Sequence, residues 1–313
     1  MTPPRVRTLD VPTVLGPLHV QDAGPADGPV VLLWPSLFSD GETSWGGHLS
    51  GLHELGLRTL LVDPPGTGGS APATRLFTVE ECGEAALRVL DAAAAERAAL
   101  LGLSWGGMVA LRVALMAPHR VTGLVLSNTT ARSAGLRERL TARLHAFLIR
   151  LGVPGGPGRP VASGMLSDHS RHRDPEFVRR FIENVNGLDT AGLARAARSV
   201  LSDRSGVADA LDRITAPTLV IAGAEDRALS PDPHAEELAH RIVGARIEVL
   251  PHVGHLTPRE APAEVAVLLE EFLAGLDELS CPGSPAEAGV RPRKGEAVRQ
   301  LEISVSPGVL AGN

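Results

Sequence analysis

Cysteine is scarce in this sequence and tyrosine is absent. The 313 residues include two cysteines, Cys82 and Cys281, whose positions match no disulfide framework and no metal-binding spacing. The sequence therefore excludes the class of small secreted domains that disulfides hold together. Two isolated thiols are typical of a protein that works in the reducing cytoplasm.

An excess of positive charge and long apolar segments are also missing. The net charge is −6 and the isoelectric point is near 6.0, so nothing in the charge attracts nucleic acid. No apolar run reaches the roughly 18 residues that span a bilayer, and the N-terminus shows no apolar segment typical of a secretion signal. We therefore expect a cytoplasmic protein with neither a nucleic-acid nor a membrane partner.

Short apolar runs that alternate with helical patterns make up most of the chain. Continuous apolar strands separated by helices predict a parallel sheet with helices on both faces. Leu9–Val20 predicts an antiparallel hairpin at one edge of that sheet. The predicted strands are Val30–Leu33, Thr59–Val62, Ala99–Leu103, Val121–Leu126, Thr218–Ala222 and Ile247–Leu250, and the predicted helices between and after them are Glu80–Ala95, Trp105–Ala117, Pro233–Val243 and Ala261–Leu276.

The alternation stops over residues 131–205, which contain no clear strand. The sequence there predicts helices over Leu136–Leu151, Pro175–Asn184 and Thr190–Leu201 and a Gly/Pro-rich bend over Gly152–Pro160. Such an insertion predicts a helical cap over the carboxyl edge of the sheet, where open α/β folds bind ligands. Residues 1–130 and 206–276 then form the core domain. From residue 277 to 313 the sequence becomes polar and rich in proline and glycine, which predicts a disordered tail.

The pentapeptide Gly102–Gly106, with Ser104 at its centre, follows a predicted strand and precedes a predicted helix. This G-x-S-x-G pattern is typical of a nucleophilic serine on a tight strand-to-helix turn, with a glycine on each side because a side chain there would collide with the strand or the helix. A serine hydroxyl needs a base, and the base needs an orienting acid. Ser104 is therefore the candidate nucleophile.

The other two members of a triad are expected on later loops, in the order acid and then histidine. Asp226 follows the strand Thr218–Ala222, and His255 follows the next strand, so they are the candidate acid and base. Glu225 in place of Asp226 and His252 in place of His255 are the alternatives.

The oxyanion of a tetrahedral intermediate needs backbone N–H donors. Trp105, directly after the nucleophile, is one candidate, and Leu37 in the loop after the first parallel strand is the other, with Ser36 as the alternative. The reaction requires no metal or cofactor, and we predict none. The spacing of His169 and His172 hints at a metal, but no carboxylate pattern surrounds them, so solvated surface residues are the expected interpretation.

Together these residues resemble the α/β-hydrolase superfamily over about residues 10–276. The segments that carry the resemblance are the triad order, Asp63–Ser70 after a strand, and Gly254–Pro262 around the candidate histidine. The resemblance implies a mostly parallel, eight-stranded sheet with helices on both faces and a helical cap. It also implies a serine hydrolase.

Two further segments are similar to 3-oxoadipate enol-lactonases. They are Leu124–Arg132 and Pro35-Ser36-Leu37, and they imply that Ser36, Phe38, Asn128 and Arg132 contact the substrate. Phe38 stands where glycine is expected, and Trp105 stands where methionine is common; both reshape the pocket.

The predicted cap is basic, with 13 arginines against seven acidic residues in a chain of net charge −6. Such a cap would attract an anionic substrate, although Arg137, Arg139 and Arg143 also fit a solvated helix face. We expect a serine hydrolase that cleaves a small anionic ester or lactone through an acyl-enzyme. A cofactor-free haloperoxidase or perhydrolase with the same triad is the alternative, followed by a non-catalytic ligand-binding protein.

Overall fold

Eight strands form the central layer of the molecule. The computed structural model describes residues 6–152 and 154–280. The strands are β1 (Arg7–Val11), β2 (Leu18–Ala23), β3 (Val30–Trp34), β4 (Arg58–Asp63), β5 (Ala98–Leu103), β6 (Val121–Ser127), β7 (Thr218–Gly223) and β8 (Arg246–Leu250). Their order across the sheet is β1-β2-β4-β3-β5-β6-β7-β8. Only β2 runs against its neighbours, so the predicted, mostly parallel eight-stranded sheet is confirmed.

Helices cover both faces of the sheet because its central strands are apolar on both sides. All six residues of β5 and of β7 are buried. The core-domain helices are α1 (Gly41–Trp45), α2 (Leu49–Glu54), α3 (Val79–Ala92), α4 (Trp105–Met116), α10 (Pro231–Arg241), α11 (Thr257–Glu260) and α12 (Pro262–Ser280). Residues of α3, α4 and α10 join one apolar core, and those of α2 and α12 join a second core across the sheet.

Five helices follow β6 in the segment that the sequence predicts as a cap. They are α5 (Leu136–Leu151), α6 (Gly158–Met165), α7 (Asp168–Arg173), α8 (Pro175–Gly187) and α9 (Thr190–Ala197), and a π-helical turn extends the last of them over Arg198–Ser202. The described part of this segment contains no strand. One of its contacts with the core is the loop that carries His255, whose N–H donates to the carbonyl of Met165 at 2.6 Å.

The C-terminal boundary differs from the prediction. Helix α12 continues through Ser280 and therefore includes the first four residues assigned to the tail. The remainder of that predicted tail, residues 281–313, lies outside the described residues, and so does Cys281.

Cys82 is buried and free, and burial raises the pKa of its thiol. Within the described ranges, no helix is long and apolar enough to cross a membrane.

Candidate active site

Ser104 lies on a strained turn between β5 and α4. Its φ is +54°, in the left-handed region that residues other than glycine rarely adopt. The turn is tight enough to exclude side chains on both flanks. A Cβ on Gly102 would overlap the backbone of Gly106, and a Cβ on Gly106 would overlap the carbonyl of Trp34. This crowding explains both glycines of the pentapeptide.

Three hydrogen bonds hold the backbone of Ser104 in that conformation. Its N–H donates to the carbonyl of Ser127 on β6 at 2.8 Å. Its own carbonyl accepts from the N–H of Met108 at 3.1 Å and from the hydroxyl of Thr129 at 2.6 Å. The neighbouring strand and helix therefore compensate for the unfavourable backbone angle, and Ser104 stays at the carboxyl edge of the sheet.

Asp226 and His255 form a buried pair at the same edge. Asp226 follows β7 and His255 follows β8, and His255 Nδ1 lies 2.7 Å from Asp226 Oδ2. The exposed fraction of these side chains is 4% for the histidine and 0% for the aspartate. The other carboxylate oxygen, Oδ1, accepts from the N–H groups of Ala228 at 2.8 Å and Leu229 at 3.0 Å. A histidine that is held by a buried, hydrogen-bonded carboxylate has its orientation and tautomer fixed.

The surroundings of Asp226 keep it ionised although it is buried. Burial by itself would raise the pKa of the carboxyl, but the charge of His255, its hydrogen bond, and those from Leu229 and Asn128 lower the pKa below its usual value. Asp226 is therefore a negative charge that can stabilise a protonated His255.

The alternative acid and base contact each other at the surface. Glu225 Oε1 lies 3.3 Å from His252 Nδ1, and the histidine side chain is 73% exposed. Asp226 and His255, in contrast, face inward and are buried. No hydrogen bond joins the hydroxyl of Ser104 to His255 within residues 6–152 and 154–280, and in unliganded sites this bond is often long until substrate binds.

Two backbone N–H groups near Ser104 are available as oxyanion donors. Neither the amide of Leu37 nor that of Trp105 donates to an acceptor in the described part of the protein. The amide of Ser36, which was the alternative donor, is 3.5 Å from the hydroxyl of Ser44 and donates to it. The hydroxyl of Ser36 itself is buried and has no partner among those residues. The geometry thus favours Leu37 over Ser36 as the second donor.

Phe38 occupies a backbone conformation that favours glycine. Its φ is +69°, and its half-buried ring packs against the core on both sides of the sheet. This angle explains why glycine is expected at the position. Trp105, the second unusual residue, has its ring between Trp34 and Phe77, with ring centres at 5.9 and 5.7 Å.

Two residues predicted to contact substrate have other partners in the structure. The amide of Asn128 donates to Asp226 Oδ2 at 2.8 Å and to the carbonyl of Gly254 at 3.2 Å, so it orients the acid. The guanidinium of Arg132 is bound to Glu237 at 2.8 Å. Because those donors are already engaged, we assign neither side chain to the substrate.

Glu260 is the site residue that sequence reasoning missed. Its buried carboxylate accepts three backbone hydrogen bonds, from Ser167 at 2.9 Å and from Gly254 and Leu256 at 3.0 Å. Gly254 and Leu256 flank His255, so Glu260 fixes the histidine loop and ties it to the cap. The signal that could have identified Glu260 is a carboxylate at the end of a short helix directly after the histidine.

The histidines considered for a metal have ordinary surface contacts. His172 Nδ1 lies 2.6 Å from the carbonyl of Asp168, and the ring of His169 lies 5.7 Å from that of His252. No group of three metal-binding side chains occurs in the part of the chain that the structure describes.

Comparison with known proteins identifies the family. Residues 31–268 match the alpha/beta hydrolase family, and the chain belongs to it. A Variovorax paradoxus protein assigned as the carbamate hydrolase RutD is 32% identical over 275 residues, which cover 86% of this chain and 100% of the relative. The 3-oxoadipate enol-lactonase 1 of Acinetobacter baylyi is 26% identical, over 83% of this chain and 94% of the relative.

A solved structure supports the same family. The crystal structure of a hydrolase from Pseudomonas aeruginosa superposes with a TM-score of 0.76 at 30% identity, over 86% of this chain and 98% of that one. The predicted resemblance to α/β hydrolases, enol-lactonases among them, is therefore confirmed.

Proposed function

We propose that the protein is a serine hydrolase that cleaves a small carboxylic ester or lactone through an acyl-enzyme. One observation carries the proposal. A buried Asp226–His255 pair, with Nδ1 and Oδ2 at 2.7 Å, lies at the same sheet edge as Ser104 on its strained turn. Nucleophile, base and orienting acid on three loops at one edge are the arrangement that acyl transfer requires.

In the proposed first half-reaction, His255 Nε2 takes the proton of the Ser104 hydroxyl as Oγ attacks the substrate carbonyl carbon. The negative charge that develops on the carbonyl oxygen is bound by the N–H groups of Leu37 and Trp105, close to the positive end of helix α4. Asp226 stabilises the protonated His255. The intermediate then expels the alkoxide or enolate oxygen, which takes the proton from His255.

In the second half-reaction, water replaces the leaving group. His255 removes a proton from the water, the resulting oxygen attacks the acyl carbon, and the bond to Ser104 Oγ breaks with return of the proton to the serine. A lactone would give a single hydroxy acid or keto acid, because its leaving oxygen remains attached to the acyl part. An open ester would give an acid and an alcohol.

The substrate is proposed to be anionic because of the overall charge of the cap. Seven of the 13 cap arginines lie in ion pairs. Pairing uses up individual guanidinium groups, but it leaves the surplus of arginines over acids in the cap, and this surplus determines the long-range attraction. We therefore propose electrostatic steering of a carboxylate substrate without assigning a specific arginine to it.

Carbamate cleavage is the second candidate, because the relative with 32% identity is assigned as a carbamate hydrolase. The same nucleophile and oxyanion donors would act on a carbamate carbonyl. Hydrolysis of an enol-lactone, simple lactones, short p-nitrophenyl esters and a carbamate by one preparation would rank these substrates.

The test of the proposal is a Ser104→Ala substitution with p-nitrophenyl acetate as substrate. We expect turnover to fall by several orders of magnitude, because the residual rate then comes from binding and the oxyanion donors alone. Ser163→Ala, at an exposed serine of the cap, is the matched control and should retain full activity. Unchanged turnover in Ser104→Ala would overturn the proposal.

A further inference from the structure

Helix α5 of the cap has its large apolar side chains on the outside. Six of them, with exposed fractions from 37% to 75%, are Leu136, Leu140, Leu144, Phe147, Leu148 and Leu151. They recur at intervals of three and four residues, so they form one stripe along a helix of 16 residues, about 24 Å long. We call this stripe the α5 outer face.

The opposite side of α5 is the one that packs on the protein. Its buried residues are Ala142, Ala146 and Ile149, two of which are among the smallest side chains. The helix thus buries its small residues and exposes its leucines, which reverses the usual arrangement of a surface helix. An exposed apolar stripe of this extent marks an interaction surface.

Uncompensated positive charge accompanies the α5 outer face. Arg137, Arg139 and Arg150 are exposed, and none of them pairs with an acidic residue of the described chain. The single acidic residue of the helix, Glu138, is bound to the buried guanidinium of Arg204. Helix α5 therefore carries, on or beside the stripe, at least three positive charges that no carboxylate of the described residues neutralises.

We propose that the α5 outer face docks on an anionic lipid surface. Leucine and phenylalanine on a helix with arginines on or beside the apolar stripe are the features that hold amphipathic helices at the boundary between acyl chains and headgroups. The arginines add attraction to acidic headgroups within a Debye length. Our expectation from sequence of no membrane partner depended on spanning segments, and surface docking needs none.

A second copy of the chain is the competing occupant, and the charges argue against it. In a symmetric dimer the same patch of both copies meets, so the arginines of one α5 would face those of the other. Like charges opposed across an interface weaken it. A lipid surface with acidic headgroups reverses the sign of this interaction.

Vesicle sedimentation of the full chain tests the proposal. We expect binding to vesicles of phosphatidylglycerol and phosphatidylcholine, weaker binding at high salt, and little binding to pure phosphatidylcholine. Leu140→Gln/Phe147→Gln should weaken binding about tenfold or more because it removes apolar surface from the contact. Arg137→Gln/Arg150→Gln should weaken it to a similar degree, about tenfold, at low salt only.

The matched control is Val243→Gln/Val267→Gln, which removes two exposed apolar side chains outside the cap and should bind vesicles like the wild type. Circular dichroism verifies that each variant is folded. Vesicle binding is measured without a substrate, so the result does not depend on the proposed hydrolase activity. Three outcomes would overturn the proposal: absence of binding to the anionic vesicles, equal loss in the control, or a dimer in sedimentation velocity that Leu140→Gln/Phe147→Gln converts to monomer.

Discussion

Asp226 shows how one residue depends on partners that are distant in the chain. Its carboxylate takes hydrogen bonds from Asn128, which is 98 residues earlier, and from His255, which is 29 residues later. The order of strands and loops predicts Asp226 as the acid, and the structure places its carboxylate within hydrogen-bond distance of His255. The role of Asn128 was not predictable, because it depends on the pairing of β6 with β7, which places the ends of both strands side by side.

Asp226→Asn should reduce kcat for p-nitrophenyl acetate by about 10³- to 10⁴-fold. The amide carries no charge to stabilise protonated His255, and its N–H₂ group favours the wrong tautomer of the ring. Steady-state kinetics measure the loss. Asp27→Asn, at an exposed aspartate, is the control and should have no effect on kcat. A similar loss in that control would show that the effect is not specific to Asp226.

The lowered pKa of Asp226 also makes stability depend on pH. Its carboxylate stabilises the folded state fully above the ordinary carboxyl pKa of 3.8, and this contribution is lost as pH falls through the lower pKa of the folded state. The difference in unfolding free energy between wild type and Asp226→Asn should therefore shrink as the pH is lowered from 5 toward 3. A difference that grows in acid would contradict the assignment.

Glu260→Gln should destabilise the protein by about 2 kcal/mol and lower kcat while KM changes little. Ser167 and Gly254 donate to one carboxylate oxygen and Leu256 donates to the other, so a neutral amide with a single carbonyl oxygen leaves at least one buried N–H without an acceptor. Urea unfolding and steady-state kinetics give the two quantities. Glu264→Gln, at an exposed glutamate of α12, is the control. If Glu260→Gln matches that control in both measurements, Glu260 does not fix the histidine loop.

At the scale of the elements, sequence patterns predicted the strands well because their apolar runs are continuous. The helix predicted over Glu80–Ala95 begins one residue earlier and ends at Ala92. The end of the helix was not predicted because the sequence there is rich in alanine. Just after the helix, Ala94 adopts a φ of +52°. Helices α1 and α2 were missed, since they are short and their Gly- and His-containing sequence lacks a clear period.

The cap was predicted less completely than the core. Leu136–Leu151 matches α5 residue for residue, but the bend predicted over Gly152–Pro160 instead leads into helix α6 at Gly158. The spacing of apolar residues in α5 indicated a helix, but it did not indicate which face of the helix packs on the protein. In the structure the leucines face outward. The reason is tertiary: α9 and the turn after it offer α5 a close contact that small side chains fit.

The strand-to-helix turn should tolerate no side chain at its second glycine. Gly106→Ala would place a methyl group on the carbonyl of Trp34, and we expect a loss of more than about 3 kcal/mol in the free energy of unfolding. Gly51→Ala in α2, where a Cβ meets nothing within 4 Å, should be neutral or stabilising. Equal unfolding midpoints in urea for the two variants would show that the turn has room for a side chain at Gly106.

At the scale of the whole molecule, the uneven charge should appear as salt-dependent catalysis. The cap has six more arginines than acidic residues, although the chain as a whole is negative. We expect kcat/KM for an anionic lactone to fall as NaCl rises from 0.01 to 0.5 M, because salt screens the attraction. The same series with neutral p-nitrophenyl acetate should be flat. Equal salt dependence for both substrates would remove the argument for an anionic substrate.

The central claim is that Ser104 becomes acylated, and covalent labelling tests it most directly. The wild-type protein is treated with a fluorophosphonate, digested, and mapped by mass spectrometry. We expect one adduct, on the peptide that contains Ser104, with no adduct in Ser104→Ala and slow labelling in Asp226→Asn. Absence of labelling at Ser104 in the folded wild-type protein, or an adduct that persists in Ser104→Ala, would contradict it.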